Sequence, residues 1–269
     1  MTEQHYEEEM IEEDGHMSII DHLTELRNRI GIVFLCFVVM FVASILRPFG
    51  EGSQSIADLV YVFLQAPLAD VLLERGGRMI FTGLHEGFFV QMKVGFFTAL
   101  CISFPIMLVQ IWKFVAPALY KNEKGAFLPF LIATPILFVA GAAMVYYLVI
   151  PLAWQFFISF ETIGGAGALP IEVEPRISEY LTLVMRLMFA FGVSFELPVI
   201  LLLLVKAGIT TADGLASKRK YAILIAFIAA ALLTPPDVIS QILLAVPVIL
   251  LYEISIIAAR VLSKPQDHN

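Results

Sequence analysis

Residues 125–160 read GAFLPFLIATPILFVAGAAMVYYLVIPLAWQFFISF, and none of these side chains is charged. A helix of about 20 apolar residues crosses the roughly 30 Å hydrocarbon core of a bilayer, so this segment predicts a membrane span. Prolines stand at positions 129, 135 and 151, and a proline disrupts the interior of a helix. We therefore expect one span over about 127–150, followed by a turn at the membrane interface.

Five further apolar runs lie outside this segment. They cover about residues 30–46, 90–114, 181–205, 221–233 and 238–258. In the last two, the uninterrupted apolar cores Tyr221–Leu233 and Val238–Tyr252 are short for a bilayer. Hydrophobic residues make up 59% of the chain and charged residues only 15%, against about 25% charged residues in soluble domains. These features exclude a soluble globular domain and predict an all-α membrane protein with six transmembrane helices.

The distribution of basic residues predicts the orientation of the spans. Six spans place both termini on one side of the membrane, and Lys and Arg concentrate on the cytoplasmic side. The side of the termini carries Arg27, Arg29, Lys113, Lys121, Lys124, Lys206, Lys218, Arg219, Lys220, Arg260 and Lys264. The opposite side carries Arg47, Arg75, Arg78 and Arg176. We therefore expect both termini in the cytoplasm.

Residues 1–16 differ in composition from the rest of the chain. Acidic residues within positions 1–14 account for the whole net charge of −7, and nothing in the remaining chain indicates a nucleic-acid partner. An acidic start without an apolar region does not fit a secretory signal peptide. We expect a disordered acidic tail over 1–16, a membrane domain over 17–262 and a short cytoplasmic tail over 263–269.

The first outer loop contains a helical pattern of its own. Ile56, Leu59, Val60, Phe63 and Leu64 recur at the spacing of one face of a helix. This pattern predicts an amphipathic helix over residues 55–65 that lies on the external surface, ends where Pro67 breaks it, and caps the helix bundle.

No catalytic signature is present, because the sequence lacks the nucleophile-elbow, zinc-protease, P-loop and dinucleotide-binding patterns. None of the histidines lies inside a predicted span. Cys36 and Cys101 lie in different apolar runs without metal-ligating neighbours, which is typical of small core residues. We therefore expect neither an enzyme nor a bound metal or cofactor.

Two carboxylates lie on the predicted cytoplasmic face. Glu25 belongs to a predicted interfacial helix, where it either pairs with Arg29 one turn away or meets a ligand. Glu123 lies in a short loop between lysines, either as a solvated charge or as one of the few acids on a basic surface. A basic ligand would be repelled from this face unless it met these carboxylates.

Three polar residues interrupt the last apolar runs. Glu196 lies two residues before Pro198, where a charge costs on the order of 2.5–3.5 kcal/mol. This cost indicates a function, as a protonated acid or in a groove opened by the proline kink, although a structural contact between helices is the alternative. Asp237 could cap the sixth helix, and Gln241 could bind a neighbouring helix.

Five ordered motifs extend over most of the chain. They are His22-Leu23-x-Glu25-Leu26-Arg27-x-Arg29, Glu86-x-Phe88-Phe89, Phe114-x-Ala116-Pro117-Ala118-Leu119-Tyr120-x-x-Glu123, Phe191-Gly192-Val193-Ser194-Phe195-Glu196-x-Pro198 and Leu233-Thr234-Pro235-Pro236-Asp237-x-x-Ser240-Gln241. Their order and spacing closely resemble the TatC family, the multispanning receptor subunits of the twin-arginine protein translocase. The likeness runs from about residue 17 to residue 260, and the acidic tail lies outside it.

The resemblance implies a six-helix protein of the bacterial cytoplasmic membrane, shaped like a cupped glove with a periplasmic cap. It implies export of folded proteins together with the single-span subunits TatA and TatB, driven by the proton-motive force. It also implies contacts with membrane lipid and with further copies of the chain. By position, Glu25 and Glu123 match the residues that recognise the two arginines of the signal peptide. Four further residues match positions that are important to the family's function: His22, Arg27, Phe114 and Pro67. Glu196 matches an acid in the concave face. Asp237 and Gln241 match the region where the single-span subunits dock.

The chemistry of arginine agrees with this resemblance. A guanidinium is a planar fork that pairs bidentately with a carboxylate, and lysine cannot reproduce this geometry. Two carboxylates on a basic face can therefore select an Arg-Arg pair. The competing interpretation is a proton-coupled secondary transporter with Glu196 as the proton carrier, which explains the buried acid but neither Glu25 nor Glu123.

Overall fold

The structure is a computed structural model, and all of its described elements are helices. It describes residues 19–47, 52–74, 76–119, 128–161, 169, 173–234 and 238–262. The helices are α1 (Ile19–Ile45), α2 (Ile56–Leu73), α3 (Glu86–Leu119), α4 (Leu128–Met144), a π-helical turn (Val145–Val149), α5 (Ile150–Ile158), α6 (Ile177–Ser194), α7 (Leu197–Lys206), α8 (Ala212–Ser217), α9 (Arg219–Leu233) and α10 (Val238–Leu262). The predicted all-α class is confirmed.

Within the described ranges, six helical stretches are long and apolar enough to cross a membrane. They are Leu23–Ile45, Ile56–Leu73, Glu86–Ile111, Pro129–Ile158, Ile177–Lys206 and Val238–Leu262. The number six agrees with the sequence prediction, but the set differs. It includes α2, which the sequence placed on the external surface, and not α9, the predicted fifth span. With 15 residues, α9 is only about 22 Å long. The sixth predicted span, 238–258, lies within α10, which has 25 residues and extends beyond the short apolar core at its start.

The third apolar run stays helical beyond the predicted interfacial turn. α4, the π-helical turn and α5 follow one another without a break from Leu128 to Ile158. Pro151 comes just after the π-helical turn, where the hydrogen-bond spacing of the helix has already changed, and its missing N–H does not end the helix. The predicted turn after residue 150 is therefore wrong, because the chain stays helical to Ile158.

Pro67 does not end α2, and the predicted loop at this residue is in fact helix. A capping box between Ser55 and Asp58 starts the helix, which then runs through Pro67 to Leu73. Pro67 has no N–H to donate to the Phe63 carbonyl, and the Tyr146 hydroxyl donates to that oxygen instead at 3.0 Å. A tertiary hydrogen bond thus replaces the helical one, so the helix continues.

A second tyrosine binds the next carbonyl of the same turn. The Tyr180 hydroxyl donates to the Leu64 carbonyl at 2.8 Å, and the Leu68 N–H faces the same hydroxyl. The buried side of α2 consists of Ala57, Leu64, Leu68 and Leu72. Ile56, Leu59 and Phe63 of the predicted apolar face are exposed instead, because α2 is apolar on nearly all sides and the tyrosines decide which side faces the bundle.

We expect Tyr180→Phe to lower the free energy of unfolding by about 1–2 kcal/mol, because it removes a buried hydrogen bond and leaves the Leu64 carbonyl with an empty lone pair. The measurement is chemical unfolding of the purified protein in detergent. Tyr147→Phe is the control, since this tyrosine is 72% exposed. Equal losses for the two variants would contradict the assigned role of Tyr180.

Two pairs of helices make extensive contacts in the bundle. α1 packs along α3, and α4 packs along α6. A Cβ on Gly141 of α4 would lie 2.6 Å from the Phe191 carbonyl oxygen, and one on Gly192 of α6 would lie 2.5 Å from the Phe138 ring. Small residues at helix contacts allow such approach in membrane proteins. Phe191 itself is completely buried at this crossing.

The starts of α3 and α6 are tied together by a buried acid. The Glu86 carboxylate accepts the backbone N–H groups of Thr82 and Gly83, at 2.8 and 3.2 Å, and the Arg176 Nε at 2.9 Å. An isolated parallel β-bridge between Ile80 and Arg176 aligns the two segments that lead into α3 and α6. The hydrogen bond to Glu86 holds the pKa of the Arg176 guanidinium above its usual value. These contacts place the first turns of α3 and α6 at the same level.

Candidate functional site

A carboxylate, a guanidinium and an amide meet where α1 lies beside α3. Arg29 Nε donates to Glu25 Oε1 at 3.0 Å, and Arg29 Nη2 donates to the same oxygen. Arg29 Nη1 donates to Gln110 Oε1 of α3 at 3.2 Å. The Glu25 side chain is 23% exposed. Within the described residues, no hydrogen bond engages Glu25 Oε2, so half of the carboxylate is available to a ligand.

The predicted i, i+4 pair of Glu25 and Arg29 is confirmed, but Gln110 was missed by sequence reasoning. The available signal was an amide in the middle of the apolar run of α3, four residues before Phe114. Side chains four apart on a helix are neighbours, so Gln110 and the half-buried Phe114 lie on one side of α3. The cluster therefore joins two distant motifs of the sequence.

Arg27, a further predicted residue of this face, does not join the cluster. Arg27 is exposed, and its Nη2 donates to Asn28 Oδ1 at 3.5 Å. His22 belongs to the first turns of α1, but its side chain lies outside the described residues. Glu123 also lies outside them, in the segment 120–127 that follows α3.

Glu196 lies at the junction of α6 and α7, inside the helix bundle. Pro198 stands in the first turn of α7 and cannot donate to the Ser194 carbonyl, so the two helices meet in a break at Phe195 and Glu196. The Glu196 residue is only 2% exposed. The burial confirms that the acid lies in the interior of the bundle.

The carboxyl of Glu196 lacks hydrogen bonds among the described residues. Neither of its oxygens has a partner there, and the buried Thr134 hydroxyl of α4 has none either. These two groups face each other without the geometry of a hydrogen bond. A buried polar group without a partner is costly, which makes this contact an unusual feature of an otherwise apolar interior.

Gln241 joins α10 to α9. Its Nε2 donates to the Phe227 carbonyl at 3.2 Å, which confirms that this polar group binds a neighbouring helix. Asp237, with the preceding prolines, lies outside the described residues. Whether a partner subunit also contacts Gln241 stays a prediction.

The helices define a multi-pass membrane protein with a polar cluster toward one end of α1 and a buried acid in its interior. The family model described as TatC, Sec-independent protein translocase protein, matches residues 21–247. The chain belongs to the TatC family and is a component of the twin-arginine translocase. It is a transport subunit of the inner membrane.

Relatives and solved structures agree with this assignment. The Sec-independent protein translocase protein TatC of Magnetococcus marinus is 46% identical over 242 residues, which cover 90% of this chain and 83% of that protein. The TatC of Escherichia coli K12 is 39% identical over 242 residues, covering 90% and 88%. A crystal structure of the twin-arginine translocase receptor TatC superposes with a TM-score of 0.75 at 35% identity, covering 90% of this chain and all of that one.

Proposed function

We propose that this chain is the signal-peptide receptor of the translocase, and that Glu25 and Glu123 bind the two arginines of the signal peptide. The observation that carries the proposal is the Glu25 carboxylate, which already binds a guanidinium through one oxygen and whose other oxygen accepts no hydrogen bond from a described residue. Arg29 thus demonstrates, within the chain, the chemistry that an incoming arginine would use.

The position of Glu123 supports its part in the same site. In the sequence, Glu123 follows the last residue of α3 by four positions, and α3 is the helix that carries Gln110 and Phe114. Two carboxylates near one helix end can bind two guanidinium groups that are adjacent in a peptide. Phe114, His22 and Arg27 complete the proposed signal-peptide surface.

The length of α3 supports a cytoplasmic position for this surface. Gln110 lies 24 residues after Glu86, which corresponds to about 36 Å along a helix. This distance exceeds the hydrocarbon thickness, so the Glu25 cluster and the Glu86–Arg176 pair (the clamp) belong to opposite membrane faces. We place the clamp and α2 outside, as the periplasmic cap of a cupped bundle, and both termini inside.

A groove beside Gln241 supports docking of the single-span subunits TatA and TatB. It has a volume of about 360 Å³ and lies between α7, α9 and α10, where Ala226, Ala230 and Leu244 line it. Small side chains let a further helix approach closely. We propose that Asp237 and Gln241 contribute to this interface, within a receptor complex that holds further copies of the chain.

Binding of a twin-arginine signal peptide to the purified protein in detergent tests the receptor role. We expect the Arg-Arg peptide to bind about tenfold or more tightly than its Lys-Lys counterpart, because lysine loses the bidentate hydrogen bonds. Equal affinities, both alone and with TatB added, would contradict a receptor that reads arginine.

A further inference from the structure

An apolar groove opens between α1, α3 and α6, on the side of the bundle away from α9. Its volume is about 510 Å³. Phenylalanine is the most frequent residue of its wall, with Phe41 of α1, Phe96 of α3 and Phe189 of α6 among them. Two cations, Lys93 and Arg186, also line it, and no acidic side chain does.

Both cations lie within the candidate membrane spans. Lys93 follows the first residue of α3 by seven positions, and Arg186 follows the first residue of α6 by nine. At the helical rise, these intervals correspond to about 10 and 14 Å. Since the Glu86–Arg176 pair holds the starts of α3 and α6 at one level, the two cations lie at similar depths, in the half of the bundle that carries the clamp.

These charges are not compensated by the described part of the chain. Lys93 Nζ reaches the Thr182 hydroxyl at a long 3.5 Å, and Arg186 has no ion pair or hydrogen bond to a described residue. Cations at membrane depth are costly and normally face a partner or a wetted cavity. Two such cations on one groove therefore favour an anionic ligand.

We infer that this groove binds an anionic phospholipid of the outer leaflet. The lipid phosphate lies between Lys93 and Arg186, whose long side chains extend toward the headgroup level. One acyl chain lies along the aromatic wall. Phe96, 51% exposed, stands at the opening of the groove and contacts the surrounding hydrocarbon.

The size and charge of the groove favour a lipid over a peptide helix. A helix is about 10 Å wide with its side chains, so a volume of about 510 Å³ holds little more than one turn. A single acyl chain fits this space along its length. The positive charge also repels the arginines of a signal peptide, which separates this groove from the proposed Glu25 site.

Native mass spectrometry of the full-length protein in detergent tests the inference. The probes are phosphatidylglycerol and phosphatidylcholine with identical acyl chains. We expect about tenfold preferential retention of phosphatidylglycerol, because its net negative charge is matched by two charge-assisted contacts. The double variant Lys93→Gln/Arg186→Gln should retain both lipids equally.

Two controls keep this experiment specific. Lys220→Gln removes an exposed cation at the start of α9 and should leave the preference unchanged. The swap Lys93→Arg/Arg186→Lys keeps both charges and should also preserve it, which separates loss of charge from loss of fold.

Several outcomes would overturn the lipid site. Equal retention of the two lipids by the unmodified protein would contradict selective binding of an anionic lipid. It would favour an acidic transmembrane helix of another subunit as the occupant of the groove. A preference that survives in the double variant would place the lipid elsewhere. Displacement of the bound lipid by millimolar inorganic phosphate would show that the groove recognises free phosphate.

Discussion

Replacing Glu25 by Gln is expected to weaken binding of a twin-arginine signal peptide by about tenfold or more. The substitution keeps the shape of the side chain but removes the charge that a guanidinium needs, and hydrogen bonds to charged groups contribute about 1.5–3 kcal/mol. Glu123→Gln should act in the same direction. The double variant should lose at least the sum of the two effects. The measurement is a titration of labelled peptide against each purified variant.

The Glu25 variant should fold normally, which makes the binding result interpretable. Its ion pair with Arg29 is partly exposed on both sides, and pairs of this kind on one helix contribute only about 0.3–0.5 kcal/mol. Asp213→Asn is the matched control, because this acid is exposed and pairs with Arg260 at 3.5 Å, away from the cluster. It should bind the peptide as well as the unmodified protein.

A comparison of peptides separates charge from geometry. The Lys-Lys peptide, which binds weakly from the start, should lose less affinity than the Arg-Arg peptide in Glu25→Gln. Unchanged Arg-Arg affinity in both single variants would remove Glu25 and Glu123 from the recognition site. Equal losses for the two peptides would mean that Glu25 acts only through its charge.

The all-helical class and the number of membrane-crossing helices could be predicted from the sequence, because long apolar runs have few alternatives in a membrane protein. The path of α2 could not be predicted in this way. Pro67 ordinarily breaks a helix, and only the Tyr146 hydroxyl, which binds the freed carbonyl from a distant part of the chain, keeps it intact. Tertiary contacts of this kind leave no local signal.

The same distinction applies to the candidate site. The pairing of Glu25 with Arg29 follows from their spacing on one helix. The contact with Gln110 does not, because it depends on how α1 packs along α3. Glu196 was recognised as unusual from its place in an apolar run, whereas Thr134, the hydroxyl that faces it, became apparent only from the crossing of α4 and α6.

Replacing Glu196 by Leu is expected to stabilise the protein and to impair its function. The carboxyl is buried without a hydrogen bond to any described residue, and an unsatisfied buried polar group costs about 1–3 kcal/mol. Leucine has a similar size and no polar atoms, so the free energy of unfolding should rise by about this amount. Export of a folded twin-arginine reporter protein should fall by about tenfold or more.

A gain in stability together with a loss of export would distinguish a functional acid from a structural one. Natural sequences retain a costly local arrangement chiefly where function needs it. If Glu196 were a structural residue, its replacement would lower the stability of the protein. The two measurements are chemical unfolding in detergent and export in cells that carry the variant as their only copy.

Thr134→Val is the matched control for this prediction. It removes the other unbonded polar atom of the same contact with little change of shape, so it should also maintain or raise stability. Export should remain normal, because the hydroxyl carries no charge and cannot serve as an acid. A Glu196→Leu variant that exports normally would reduce this acid to a structural residue. A variant that unfolds more easily would show that the carboxyl is satisfied by a partner or by water, and that its burial contributes to the stability of the bundle.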